Sequence, residues 1–240
     1  AARDKSGKLL MTAQHFRFDG KAQALKAQVD QGVLGEVYHA RSWWIRRSGA
    51  PTRPGFYMKK HAGGGPCIDI GVHVLDLTLW MMGFPQPVTV TGVTQDKLAH
   101  LPGAFTSWGG PISPDYDVEE FAAAFVRFAT GATLILEVSW LLNHKTTGDV
   151  ISVWLYGDKG GATWPANELL TTSNETRQHF DTQLQVAATH APHAEECKAF
   201  AEAVANGGPS PVPAEQSLIV MSVLDGLYQS AAQQREIVLG

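Results

Sequence analysis

Residues 117–142, DVEEFAAAFVRFATGATLILEVSWLL, hold two apolar, β-prone runs separated by Thr130-Gly131. A glycine turn between two such runs is a hairpin signal, so the stretch predicts antiparallel strands over 117–129 and 132–142. Asp158-Lys159-Gly160 repeats the signal between strands expected over 149–156 and 160–164. Working outward, further strands are expected near 87–95 and from Gly35 to Arg47, the latter carrying Val37, Tyr38, Trp43, Trp44 and Ile45. Helices are expected from Phe18 to about Val29, with Asp19 as N-cap and Gly32 near the end, and over 66–82, 191–206 and 214–232. Residues 48–62 and 96–116 are expected to be loops, and Arg235–Leu239 to add a last strand. The class is therefore α+β: an open, mainly antiparallel sheet with helices on one face.

Such a sheet leaves a second face uncovered. Phe121, Phe125, Leu134, Leu136, Val153 and Leu155 are too apolar for a solvated face throughout. Part of the uncovered face is thus expected to be an interface in a homodimer or homotetramer. The alternative is that these residues simply back the helices. At the start of the chain, Ala1 to Gly7 has the pattern of a last helical turn closed by a glycine. Lys8-Leu9-Leu10-Met11-Thr12-Ala13 follows as an expected short, buried strand. Helix end, glycine and apolar strand is how a parallel α/β layer continues. Residues 1–18 are accordingly expected to belong to the edge of one domain and 19–240 to a second.

The 240 residues are 44% hydrophobic and 18% charged, with a formal net charge of -4 and scattered basic residues. That composition fits a globular domain and argues against a nucleic-acid partner. Cys67 and Cys197 are far apart and lack neighbours at metal spacing, so neither a disulfide framework nor a zinc site is indicated, and a reducing cytoplasm fits. No apolar run approaches the ~20 residues of a membrane span.

The chemistry concentrates in Gly63-Gly64-Gly65-Pro66-Cys67-Ile68-Asp69-Ile70-Gly71-Val72-His73-Val74-Leu75-Asp76. Pro66 suits a first helical turn. Asp69, His73 and Asp76 form a polar stripe on an otherwise apolar helix. A buried carboxylate or imidazole is costly unless paired, so Asp69 and His73 are expected to pair, which would raise the basicity of the imidazole. Three glycines would let a flat ligand approach the backbone closely. From the residues alone, the commoner meaning of such a pattern is structural, with Asp69 as a capping carboxylate and His73 as a core histidine, and a metal site lacks a third ligand.

The segment GGGPCIDIGVHVLDLTLWMMG resembles the catalytic helix of the glucose–fructose oxidoreductase / inositol dehydrogenase / rhizopine catabolism (Gfo/Idh/MocA) family. Gln14-His15-Phe16-Arg17-Phe18-Asp19 is similar to the family's N-x-R-F segment, and Gly32-Val33-Leu34-Gly35-Glu36-Val37 to its G-x-L-G-E-V turn. Phe200–Val204, Pro213–Gln216 and Leu224–Ala231 are similar to its final helices. The resemblance implies a nicotinamide-dependent dehydrogenase acting on a sugar, polyol or related secondary alcohol. It makes His73 the proton carrier and Asp69 its orienting partner, with a family lysine sharing the substrate hydroxyl. Trp44, Arg46, Tyr57 and His144 are candidate substrate contacts. His15, which stands where the family has Asn, and Arg17 are candidates on the NAD or NADP side. The family's G-x-G-x-x-G turn and E-K-P lysine do not occur here. The resemblance therefore covers the C-terminal part and makes residues 1–18 a remnant of a Rossmann domain. It implies that these 240 residues alone are inactive. It also leaves open a ligand-sensing member without catalysis, or an offshoot that uses the cofactor to cleave a glycosidic bond.

Overall fold

A computed structural model describes residues 2–146, 148–186 and 191–240. The chain begins with a short helix α1 (Ala2–Ser6), closed by a backbone bond of 2.9 Å from Gly7 N–H to the Arg3 carbonyl. After a 3₁₀ turn at His15–Phe18, α2 (Gly20–Asp30) starts where Asp19 accepts from Ala22 N–H. The rest is β1 (Val37–Ile45), two single-turn helices α3 (Pro54–Tyr57) and α4 (Lys59–Ala62), and a π-helical turn at Cys67–Gly71. That turn runs directly into α5 (Val72–Met81). Then come β2 (Pro87–Gln95), β3 (Phe121–Phe128), β4 (Thr133–Ser139), β5 (Val150–Gly157) and β6 (Gly160–Trp164). β7 (Glu168–Ser173), β8 (Gln178–Gln183), α6 (Pro192–Asn206), α7 (Ala214–Gln233) and β9 (Ile237–Val238) complete the chain.

The strands form one sheet in the order β8-β7-β6-β5-β1-β4-β3-β2-β9. Both expected hairpins are present, β3–β4 and β5–β6, and every pairing is antiparallel except β1 with β4. The sequence reading passed over β7 and β8. The outer strand β8 is exposed at every residue, so it lacks the apolar alternation that marks a half-buried strand.

Two expectations are corrected here. Lys8–Ala13 forms no strand and is only partly buried, because no described strand lies beside it to complete a ladder. The apolar sheet residues divide between the faces. Leu134, Leu136, Val153 and Leu155 are buried in the core with Leu75, Leu77, Leu224 and Leu227 of α5 and α7, whereas Phe121 and Phe125 lie half-buried outside it. The uncovered face is still aromatic: Trp43 and Trp154 lie 6.2 Å apart, and Tyr156 lies 6.2 Å from Trp154 and 5.5 Å from His39. No helix among the described residues is long and apolar enough to cross a membrane.

Candidate active site

Register brings the site together. The parallel pairing of β1 with β4 aligns Ile45 with Ser139, so the next residues, Arg46 and Trp140, emerge at the same sheet edge. Antiparallel β5 pairs Val150 with Ile45, which places Asp149 at that edge too. Asp149 accepts two bonds from Arg46, Nε at 2.9 Å and Nη2 at 3.1 Å, and a third from the Trp44 indole at 2.9 Å. A bidentate guanidinium–carboxylate pair fixes orientation as well as charge. Arg46 is thus a rigid cation beside Asp69, whose carboxylate is 4.0 Å from Nη1. Trp140, fully buried, donates its indole N–H to Asp69 at 3.2 Å.

Asp69 belongs to the π-helical turn and His73 to α5. The wider turn changes the angular offset between them. The expected Asp69–His73 pair is therefore replaced: Asp69 turns to Trp140 and Arg46, while His73 Nδ1 lies 3.3 Å from the Gln14 side-chain oxygen. Donation by Nδ1–H to that oxygen leaves Nε2 as the basic nitrogen. Burial raises the Asp69 pKa, with Arg46 and Trp140 opposing the shift. Burial and then the neighbouring His193 lower His73 to about 4, the reverse of the raised basicity expected from a pairing with Asp69. His15 is lowered to about 4 as well, by burial and then by His73 and His193. The three rings form a cluster, with His15 stacked on His193 at 4.2 Å and edge-on to His73 at 4.9 Å.

The glycine run admits a structural cap, and Gly64 also lines a cavity beside Asp69 and His73. Glu119, 9% exposed, accepts Gly65 N–H at 2.9 Å, Cys67 N–H at 3.2 Å and the Tyr228 hydroxyl at 2.7 Å. A carboxylate on the orphan N–H groups of a first turn satisfies them and complements the helix dipole. A Cβ at Gly64 would lie 2.1 Å from the Tyr228 hydroxyl, and one at Gly65 would lie 2.0 Å from the Glu119 carbonyl. The absence of side chains admits this cap.

Asp69, His73, His15, Trp44 and Arg46 share the wall of a cleft of about 450 Å³, joined by Phe56 and Trp108. Three sequence candidates fall elsewhere. Tyr57 turns into the core against Tyr116, 6.3 Å away, and its neighbour Phe56 takes the cleft position. His144 is exposed on the loop after β4 and is not among the residues lining the cleft. Arg17 is 3% exposed, held by Asp76 at 2.7 and 2.6 Å and by Gln216 at 2.5 Å, so its charge is already taken. Asp76 accordingly leaves the polar stripe for that pair. Trp140, Asp149, Glu119, Gln14 and Trp108 were not identified as site residues from the sequence, because each joins the site through long-range register or a loop turn.

Residues 22–163 match the model of the GFO/IDH/MocA C-terminal domain, and the chain belongs to that family. Among curated relatives, a D-glucoside 3-dehydrogenase of Escherichia coli (strain K12) is 35% identical over 230 residues, covering 95% of this chain and 64% of the relative. A scyllo-inositol 2-dehydrogenase (NADP(+)) of Bacillus subtilis (strain 168) is 22% identical, covering 99% and 66%. GenD2 from gentamicin A biosynthesis, solved in complex with NAD, superposes with a TM-score of 0.74 at 25% identity, covering 100% of this chain and 66% of that one. Levoglucosan dehydrogenase, solved with NADH and levoglucosan, shares the fold with a TM-score of 0.75 at 20% identity, covering 97% and 66%.

Proposed function

We propose that this chain is the substrate-binding and acid–base part of a nicotinamide-dependent oxidoreductase acting on a secondary alcohol of a sugar or polyol. The observation that carries this is the cleft in which an imidazole, a carboxylate and a fixed guanidinium meet beside the Trp44 indole. Relatives named as dehydrogenases of a glucoside and an inositol support it. The chain spans 64% of the length of the first of these.

His73 Nε2 takes the hydroxyl proton as the alcohol is oxidised, and Gln14 holds the tautomer that allows it. Arg46 and Trp140 keep the Asp69 carboxylate directed to its place, where it can accept from a neighbouring hydroxyl. Trp44 offers an apolar face to sugar C–H groups. A bound nicotinamide ring supplies the hydride acceptor. The His15 imidazole, half-buried in the cleft wall beside His73, would border such a ring. Arg17 is unavailable to a cofactor phosphate because Asp76 neutralises it.

Residues 1–18 are proposed as the edge of the cofactor domain and 19–240 as the substrate domain. The aromatic sheet face is proposed as the surface on which copies associate. A buried Cys67 and an exposed Cys197, both free, suit a reducing cytoplasm.

Steady-state oxidation of sugars and polyols by the intact protein, followed through reduced nicotinamide, tests the proposal. His73→Ala should lower kcat by about 10²–10⁴-fold while the sugar still binds. Undiminished turnover in that variant would overturn the role of His73.

A further inference from the structure

The cleft has an inner and an outer part of different chemistry. Asp69, His73 and Trp44 form the inner part, with Trp44 only 9% exposed. At the rim stand Phe56 and Trp108, 39% and 56% exposed. Arg46 joins the two parts, because its guanidinium carbon lies 5.2 Å from the Trp44 ring centre and 4.7 Å from that of Trp108. Asp149 fixes the guanidinium, so the stack of indole, cation and indole has a set direction from floor to mouth.

Trp108 is held rather than trailing in solvent. Ser107 N–H donates to the Ser48 carbonyl at 2.9 Å, and the Ser48 hydroxyl donates to the Phe105 carbonyl at 3.0 Å. Thr106 N–H bonds the Gly110 carbonyl and Gly109 N–H the Thr106 carbonyl, each at 3.1 Å, which closes the tip into a tight turn. A loop pinned to the end of β1 therefore holds a large apolar ring, more than half exposed, in the wall of the cleft. Hydrogen-bonding groups serve the inner ring of a ligand. The rim offers chiefly flat apolar surface, suited to a second ring.

We propose that Trp108 is the platform of an outer subsite and that the ligand is a glycoside, a sugar whose anomeric oxygen carries a second sugar or aryl ring. This rests on the sugar-binding assignment of the same cleft. The sugar to be oxidised sits against Trp44 and His73, while the group on its anomeric oxygen stacks on Trp108.

Calorimetric titration of the intact protein with methyl and phenyl β-D-glucopyranoside tests it. The wild type should bind the phenyl glycoside about tenfold more tightly than the methyl one. Trp108→Ala should abolish that preference by weakening the phenyl glycoside about tenfold more than the methyl one, and Trp108→Phe should keep most of it. A wild type that binds neither, one without preference for the phenyl group, or a Trp108→Ala variant that weakens both equally would overturn the proposal. Oxidation is measured separately on methyl glucoside with NAD or NADP. Loss of turnover with the binding preference intact would refute the dehydrogenase alone.

Discussion

At the scale of single residues, His73 shows how burial sets chemistry. Its pKa falls from 6.5 to about 4, so the imidazole is neutral near pH 7 and holds a proton less firmly than a solvated one. The acid limb of the kcat/KM profile should lie near that lowered value. The same shift has a thermodynamic sign. Below 6.5 the unfolded chain binds protons that His15 and His73 in the folded chain refuse until about 4. Stability should therefore fall as pH drops from 6.5 towards 4, and melting temperatures across that window should fall less steeply in His73→Gln. Gly65 carries a different constraint. Alanine there would meet the Glu119 carbonyl at 2.0 Å. Gly65→Ala should cost about 3 kcal/mol in denaturant unfolding, as overpacking against backbone does.

Among the elements, the π-helical turn Cys67–Gly71 matters most, since it aims Asp69 away from His73. Its cap is Glu119, shared with Tyr228 of α7. Glu119→Gln keeps the volume but cannot accept all three donors. It should lower kcat more than it changes KM, with a stability loss of about 2 kcal/mol by thermal or denaturant melting. Equal kcat in the variant would show that the cap does not position Asp69. The buried pair Arg17–Asp76 ties the 3₁₀ turn to α5, with side chains 3% and 1% exposed. Arg17→Met strands the carboxylate and should cost about 3–5 kcal/mol, whereas Arg17→Met with Asp76→Leu should recover much of it. Chemical denaturation of both variants checks this.

For the whole molecule, the sheet has helices on one face and aromatic rings on the other. Arg41 and Arg127 lie over Trp43 and Phe125, each at 4.9 Å, so charge is interleaved with apolar surface there. If copies associate through this face, Phe125→Asp with Trp154→Glu should yield monomers by light scattering while leaving the melting of the monomer fold nearly intact. A wild-type protein that is monomeric at all concentrations would remove the sheet face as an interface.

Local pattern was enough for most of the architecture. Thr130-Gly131 and Asp158-Lys159-Gly160 declared their hairpins, Asp19 and Gly7 their helix ends, and the apolar run after Pro66 its buried helix, because turn chemistry and periodicity act over a few residues. His73, Asp69, Trp44 and Arg46 were legible as site candidates for the same reason, helped by motif likeness. Tyr57 and His144 were misplaced because a single turn of α3 and an exposed loop decide where those side chains face. The sequence alone determined which residues are the candidates for acid–base chemistry. The tertiary structure decided their partners: parallel pairing of β1 with β4 and antiparallel pairing with β5 bring Arg46, Trp140 and Asp149 to one edge. Sheet register is set by packing across many residues, and no local spacing encodes it.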